Sequence, residues 1–133
     1  MKKESFINKE RLKKSKPIEN LFSKGENLNF YPFKVLFSLT YSDSTIKYPA
    51  QVAFVVPKRL FKKAVDRNNL KRKMREAFRK NKSILYNTLI ANNQKLEFIV
   101  LYIANENNNF EIIETKMVGL LNALCKKIKK KDV

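Results

Sequence analysis

The sequence predicts an α/β fold: a two-layer α/β sandwich with a central mixed sheet of about four strands and helices packed on one of its faces. Short runs rich in aromatic and β-branched residues alternate with longer amphipathic segments, in the order helix, hairpin, basic helix, helix, strand, helix. The 133 residues have the length of one domain, and a hydrophobic content of 44% is enough for a core. We therefore expect a single domain over 1–133.

The chain begins with a basic, mostly polar segment at 1–16, which we interpret as a flexible or loosely docked arm. Pro17 suits the first position of a helix, and Gly25 is typical of a helix end. A short helix is expected at 17–24.

Two strands are expected next. Residues 30–41 are rich in aromatic and β-branched side chains and partly alternate in polarity, and a polar turn separates them from a second apolar run at 51–56. Pro57 ends the second run, because proline cannot donate to a sheet ladder. The short connection predicts an antiparallel hairpin between the two strands.

A basic helix is expected at 66–80, inside a stretch that carries most of the charge. Residues 58–82 contain 12 Lys and Arg and two acids, which accounts for +10 of the net charge of +17. On a helical wheel the cations occupy an arc of about 140° beside an apolar arc of about 100°. Asp66 would act as the N-cap or as an acid in the first turn. The apolar arc holds Leu70, Met74, Ala77 and Phe78.

Three further elements complete the chain. Ser83 is a candidate N-cap for a short helix that extends to about residue 90. The near-continuous apolar run at 96–103 predicts a central strand that is buried on both faces. A last helix is expected at 110–130, with acids near its start and lysines near its end, as the helix dipole favours.

The charge indicates a polyanionic partner. A pI near 10.1 favours nucleic acid, with an anionic membrane surface a poor second. No apolar run reaches the roughly 18 residues of a spanning helix, and the N-terminus lacks the apolar core of a signal peptide. We expect a soluble, cytoplasmic protein that does not bind membranes.

The composition offers little for catalysis by the protein alone. The chain has no histidine, which removes the usual general base and any imidazole metal ligand. Its acids are scattered, and the one cysteine, Cys125, lies in an apolar stripe that predicts burial. We expect no catalytic residue and no metal site on the protein.

Among nucleic acids, RNA is favoured over DNA. No helix-turn-helix pair or dimer interface typical of a major-groove reader is evident. The predicted sheet beside the basic helix carries Phe33, Phe37 and Tyr41, on which unpaired bases could stack. The same aromatics also suit a protein core, and that alternative stays open.

The spacing of the basic residues carries a family resemblance. Arg67, Asn68, Lys71, Arg72 and Arg75 form the pattern Arg-Asn-x-x-Lys-Arg-x-x-Arg, which resembles the signature of the bacterial ribonuclease P protein subunit. The segment Arg-Leu-Lys-Lys at 11–14 and the helix that ends Phe-Ser-Lys-Gly at 22–25 are similar to that family's N-terminal region. The order of elements also fits over essentially the whole chain.

The resemblance implies a non-catalytic subunit that helps a catalytic RNA and its Mg²⁺ remove the 5′ leader of precursor tRNA. It implies one protein per RNA and a left-handed strand-helix-strand crossover. By the same resemblance, a cleft between the sheet and the N-terminal helix would hold the single-stranded leader through Ile18, Phe22, Lys34 and Phe37. The residues that would bind the catalytic RNA are Lys58, Arg59, Lys62, Lys63, Arg67, Asn68, Lys71, Arg72, Arg75 and Arg79.

Two alternatives belong to other functional classes. A structural RNA-binding protein, such as a ribosomal component, would have the same composition. A stand-alone nuclease is disfavoured because the chain has no histidine and its carboxylates are scattered along the sequence.

Overall fold

A four-stranded sheet with helices on both faces forms the fold in the computed structural model, which describes residues 10–12, 15–41 and 48–131. The sequence analysis predicted most of these elements to within two residues at each end. The first strand, at 26–30, was not predicted. The elements are α1 (Ser15–Lys24), β1 (Glu26–Phe30), β2 (Phe33–Tyr41), β3 (Ala50–Val55), α2 (Ala64–Asn81), α3 (Ser83–Ala91), β4 (Gln94–Tyr102) and α4 (Phe110–Lys131).

The strand order in the sheet is β1-β2-β4-β3, so β2 and β3 are not neighbours. β2 is antiparallel to β1 and to β4, whereas β3 is parallel to β4. The predicted hairpin between the second and third strands is therefore wrong. The hairpin partner of β2 is β1, a polar strand that contains no β-branched residue and so lacks the usual strand signal.

Both faces of the sheet are covered, which corrects the expectation of one covered face. The larger cluster packs α2, α3 and α4 on the face that carries Phe98 and Val100. The smaller cluster packs Leu21 of α1 against Leu36 and Ile99, which are paired across β2 and β4 on the other face. The alternation of side chains along each strand produces the two faces. β4 is buried on both of them, as predicted.

The apolar side of α2 docks as the wheel predicts: Leu70, Met74, Ala77 and Phe78 are all fully buried. The Phe78 ring meets Phe54 and Phe98 edge to face, with ring centroids 5.8 and 5.9 Å apart. Such pairs add to the stability that apolar burial supplies. α2 is thus attached rigidly to the sheet.

The two capping predictions have different outcomes. Asp66 lies in the first turn of α2, where it suits the helix dipole, and Lys63 occupies the N-cap position. Ser83 is the first residue of α3 and does not cap it, since Lys82 holds that position. The cause is the close succession of α2 and α3, which leaves no extended residue between them.

The predicted arm at 1–16 falls mostly outside the described residues. Residues 10–12 are docked: Leu12 is buried, and its N–H donates to the carbonyl of Val52 at 3.0 Å, at the outer edge of β3. Cys125 is buried as predicted, with its Sγ 3.4 Å from the carbonyl oxygen of Ile84. In the described part of the chain no helix is long and apolar enough to cross a membrane.

Gly25 joins α1 to β1 where there is no room for a side chain. A Cβ at this position would lie 2.4 Å from the carbonyl oxygen of Leu21, which accepts the Gly25 N–H at 3.0 Å. Gly25→Ala should therefore lower the free energy of unfolding by about 1–3 kcal/mol, as measured by urea denaturation. The control is Ser23→Ala in the same helix, an exposed position that should change stability by less than about 0.5 kcal/mol. Equal stability of Gly25→Ala and the wild type would contradict this view of the junction.

Candidate RNA-binding surface

The basic connection between β3 and α2 forms the first part of a cationic surface. It is a compact turn, because the N–H groups of Leu60 and Phe61 both donate to the Pro57 carbonyl, at 3.1 and 3.3 Å. Its charged side chains point into solvent and are available to a partner. The exposed cations of this connection are Lys58, Arg59, Lys62 and Lys63.

Arg67 fastens this connection to the helix. Its Nη1 donates to the carbonyl oxygens of Phe61 at 2.8 Å and of Lys62 at 2.9 Å. The guanidinium therefore stabilises the turn that presents Lys62 and Lys63. Its predicted contact with RNA stays a prediction, and the structure gives Arg67 a positioning role that the sequence did not indicate.

The second part of the surface is the side of α2 that faces away from the core. Asn68 and Arg72 are exposed, while Lys71, Arg75 and Arg79 are half-buried at the border with the packed side. These residues follow one another at helical spacing, so the predicted RNA-binding residues form one continuous surface with the connection that precedes them.

Electrostatic effects differ along this helix. Burial lowers the pKa of Arg75, and the neighbouring Arg11 lowers it further. Arg79 donates to Glu76 through Nε at 2.6 Å and through Nη2 at 2.9 Å, and hydrogen bonding from Arg79 is the main cause that lowers the pKa of that carboxyl. Arginine stays charged at neutral pH despite such shifts. The surface thus holds closely spaced cations, which is typical of a site for phosphate groups.

The predicted leader cleft lies on the other face of the sheet, beside α1. Phe22 is 54% exposed, which leaves its ring accessible. Ile18 is half-buried against the cluster around Leu36, and Lys34 lies on the same side of β2 as Leu36. Three of the four predicted cleft residues therefore share one side of the molecule.

Phe37 is the exception, and its prediction as a cleft residue is wrong. It is fully buried on the opposite face, within the cluster formed with α2 and α4. Phe33 is buried there as well. The sequence contained the signal, since Phe33, Val35 and Phe37 alternate with Lys34, Leu36 and Ser38, and the uniformly apolar side is the one expected in the core.

Two grooves have linings that the sequence did not fully predict, although the resemblance did place a cleft between the sheet and the N-terminal helix. A groove of about 300 Å³ between α1 and the sheet contains both a cation and a carboxylate. It is lined by Asn20, Leu21, Lys24, Gly25, Ser38 and Glu97. A second groove, of about 420 Å³, lies along α2 and includes Arg11 from the N-terminal segment. No local pattern reveals either complete groove, because each also needs residues that are distant in sequence: Ser38 and Glu97 in the first, and Arg11 in the second.

The described residues do not form a metal site of their own. Within 10–12, 15–41 and 48–131, no group of three or more acidic, cysteine or histidine side chains is placed to hold a metal ion.

Comparisons of the sequence with known proteins all identify the same family. The sequence model that describes the family Ribonuclease P matches residues 6–125. The ribonuclease P protein component of Porphyromonas gingivalis is 32% identical over 108 residues, which cover 81% of this chain and 77% of the relative. That of Thermotoga petrophila is 33% identical over 126 residues, covering 91% of this chain and 97% of the relative.

Solved structures share the fold. The ribonuclease P protein of Thermotoga maritima superposes with a TM-score of 0.65 at 26% identity, covering 86% of this chain and 96% of that protein. The protein of Staphylococcus aureus gives the same TM-score at 22% identity, covering 86% and 94% respectively, which supports the fold alone. With a family match over residues 6–125 and a shared architecture, the chain belongs to the ribonuclease P protein family.

Proposed function

We propose that this chain is the protein subunit of ribonuclease P, which binds a catalytic RNA and the 5′ leader of precursor tRNA and promotes endonucleolytic removal of that leader. The family match over residues 6–125 carries the proposal. The cationic surface on the connection and on α2 supports it, because it is a folded surface with the charge expected of an RNA partner.

The cationic surface would hold the catalytic RNA through its phosphates. Lys and Arg that neutralise phosphates release condensed counterions, which makes such binding tight at low salt and independent of sequence. Since α2 is anchored by four buried side chains, its cations are held on a rigid scaffold. The rigid surface would orient the protein on the folded RNA.

The α1 side of the sheet would contact the single-stranded leader. An exposed aromatic ring can stack on an unpaired base of any sequence, and among the described residues of α1 Phe22 provides such a ring. Lys34 would supply a cation for the leader backbone, and Ile18 an apolar contact. With Phe37 in the core, stacking in this cleft depends on Phe22.

The chemistry would belong to the RNA. Mg²⁺ would be bound by the RNA subunit, where it would supply the charge stabilisation and the activated water that phosphodiester hydrolysis requires. The protein would bind and orient, as one copy per RNA. A cytoplasmic location stays a prediction from the sequence.

Cleavage of a precursor tRNA with its leader attached tests this function. The chain and a cognate ribonuclease P RNA should together release the leader at low Mg²⁺ faster than either does alone. Failure to stimulate the RNA would contradict the proposal. Cleavage by the protein alone would instead support the stand-alone nuclease.

Arg72→Ala tests the cationic surface. Arg72 is exposed on α2, and removal of one phosphate contact should reduce the slope of log K against log salt concentration by about 0.7–0.9. Binding to ribonuclease P RNA would be measured by filter retention over a salt series. The control is Lys116→Ala, which removes one exposed cation from α4 and should leave the slope unchanged. The same slope for Arg72→Ala and the wild type would mean that this part of α2 is only solvated.

Phe22→Ala tests the leader surface. Loss of one stacked base should weaken binding of precursor tRNA by the assembled holoenzyme by about 1–3 kcal/mol and leave mature tRNA unaffected. The control is Ile112→Ala, which truncates an exposed apolar side chain on α4, the helix on the other face of the sheet. Equal losses for precursor and mature tRNA would argue against a leader contact.

A further inference from the structure

The second groove brings together cations from two separate parts of the chain. It is lined by Arg11 from the N-terminal segment and by Arg72, Arg75 and Arg79 from successive turns of α2, with Glu76 among them. The lining holds four arginines and one glutamate, and that glutamate forms an ion pair with Arg79. The groove therefore keeps an excess of positive charge. Arginines held this close repel one another unless an anion lies between them.

The residues on either side of Arg11 are anchored. Glu10 is fully buried, and its carboxylate accepts hydrogen bonds from Lys82 Nζ at 2.8 Å and from the Tyr86 hydroxyl. Leu12 is buried on the other side, bonded to β3. Between these two anchored residues, Arg11 is exposed, pairs with Val52 at the edge of β3 and lines the groove along α2.

The ion pair at Glu10 suits a positioning role better than a purely stabilising one. Placing a carboxylate and an ammonium out of water costs free energy that their attraction often only offsets. A buried pair of this kind does fix geometry, since either partner without the other is strongly disfavoured. Here it joins the N-terminal segment to the junction of α2 and α3, close to the arginines of the groove.

We propose that this groove is a binding site for a phosphodiester group of RNA, with Arg11 as a contact residue and Glu10 as the positioning residue that holds Arg11 there. The inference deepens the proposed function and rests on it. Arginine suits the site because its planar guanidinium binds phosphate oxygens in a bidentate manner. The phosphate could belong to the catalytic RNA or to precursor tRNA, and the experiment separates the two.

Glu10→Gln gives the sharpest test, because charge and geometry predict opposite results. The substitution raises the net charge by one, so electrostatics alone would tighten RNA binding. If Glu10 positions Arg11, binding should weaken and the salt slope should fall by about 0.7–0.9, as for Arg11→Ala. The matched control, Glu19→Gln, makes the same charge change at an exposed position on α1 and should not weaken binding.

The double variant Glu10→Gln/Arg11→Ala separates positioning from general destabilisation. If Glu10 acts through Arg11, the double variant should bind no more weakly than Arg11→Ala. Further weakening would overturn the positioning role. Should Glu10→Gln fail to fold by circular dichroism, Tyr86→Phe replaces it: it removes one hydrogen bond to Glu10, changes no charge, and should also lower the slope.

Two binding measurements identify the source of the phosphate. A defect of Arg11→Ala with ribonuclease P RNA alone would assign the phosphate to that RNA. A defect only when the assembled holoenzyme binds precursor tRNA would assign it to the substrate. If the slope of log K against log salt concentration is unchanged in both measurements, the proposed phosphate site would be overturned. Wild-type protein in the cleavage assay serves as the separate check on the proposed function, which does not depend on Arg11.

Discussion

The parallel pairing of β3 with β4 is the constraint on which the rest of the structure depends. Two parallel strands cannot be joined by a tight turn, so the chain must leave one end of the sheet and return at the other. α2 and α3 form that connection. The basic helix is therefore an integral part of the sheet's connectivity, and its position follows from the strand order.

Packing against the sheet holds α2 rigidly in this position. Phe78 fills the space between Phe54 and Phe98, so α2 cannot rotate to hide its cations without opening the core. Arg67 extends the effect to the turn before the helix by bonding two of its carbonyls. The cations of α2 repel one another, but the apolar side of the same helix is buried against the sheet. The free energy of that burial opposes the repulsion.

The two covered faces of the sheet separate two surfaces. The cationic surface belongs to the helices on one face, while Phe22 and Lys34 lie with α1 on the other. Residues 10–12 connect them: Leu12 joins the cluster beneath α1, and Glu10 reaches Lys82 at the end of α2. In the proposed function, one short segment thus couples the side that would hold the catalyst to the side that would hold the leader.

The sequence by itself determined most of the elements, the buried stripe of α2 and the basic pattern from Arg67 to Arg75, because each rests on local spacing along one element. It did not determine which strands pair, since register and order depend on contacts between distant segments. That is why the predicted hairpin of β2 with β3 was wrong. The polar strand β1 went unnoticed for a local reason, because it contains no β-branched residue. Phe37 is a different case: its aromatic type suited a stacking surface, but its alternation with Lys34 and Leu36 already indicated the side of β2 that packs in the core. The contacts of Glu10 with Lys82 and of Arg11 with the groove along α2 were, like the strand pairing, decided only by the tertiary structure. No local signal links residues more than 60 positions apart.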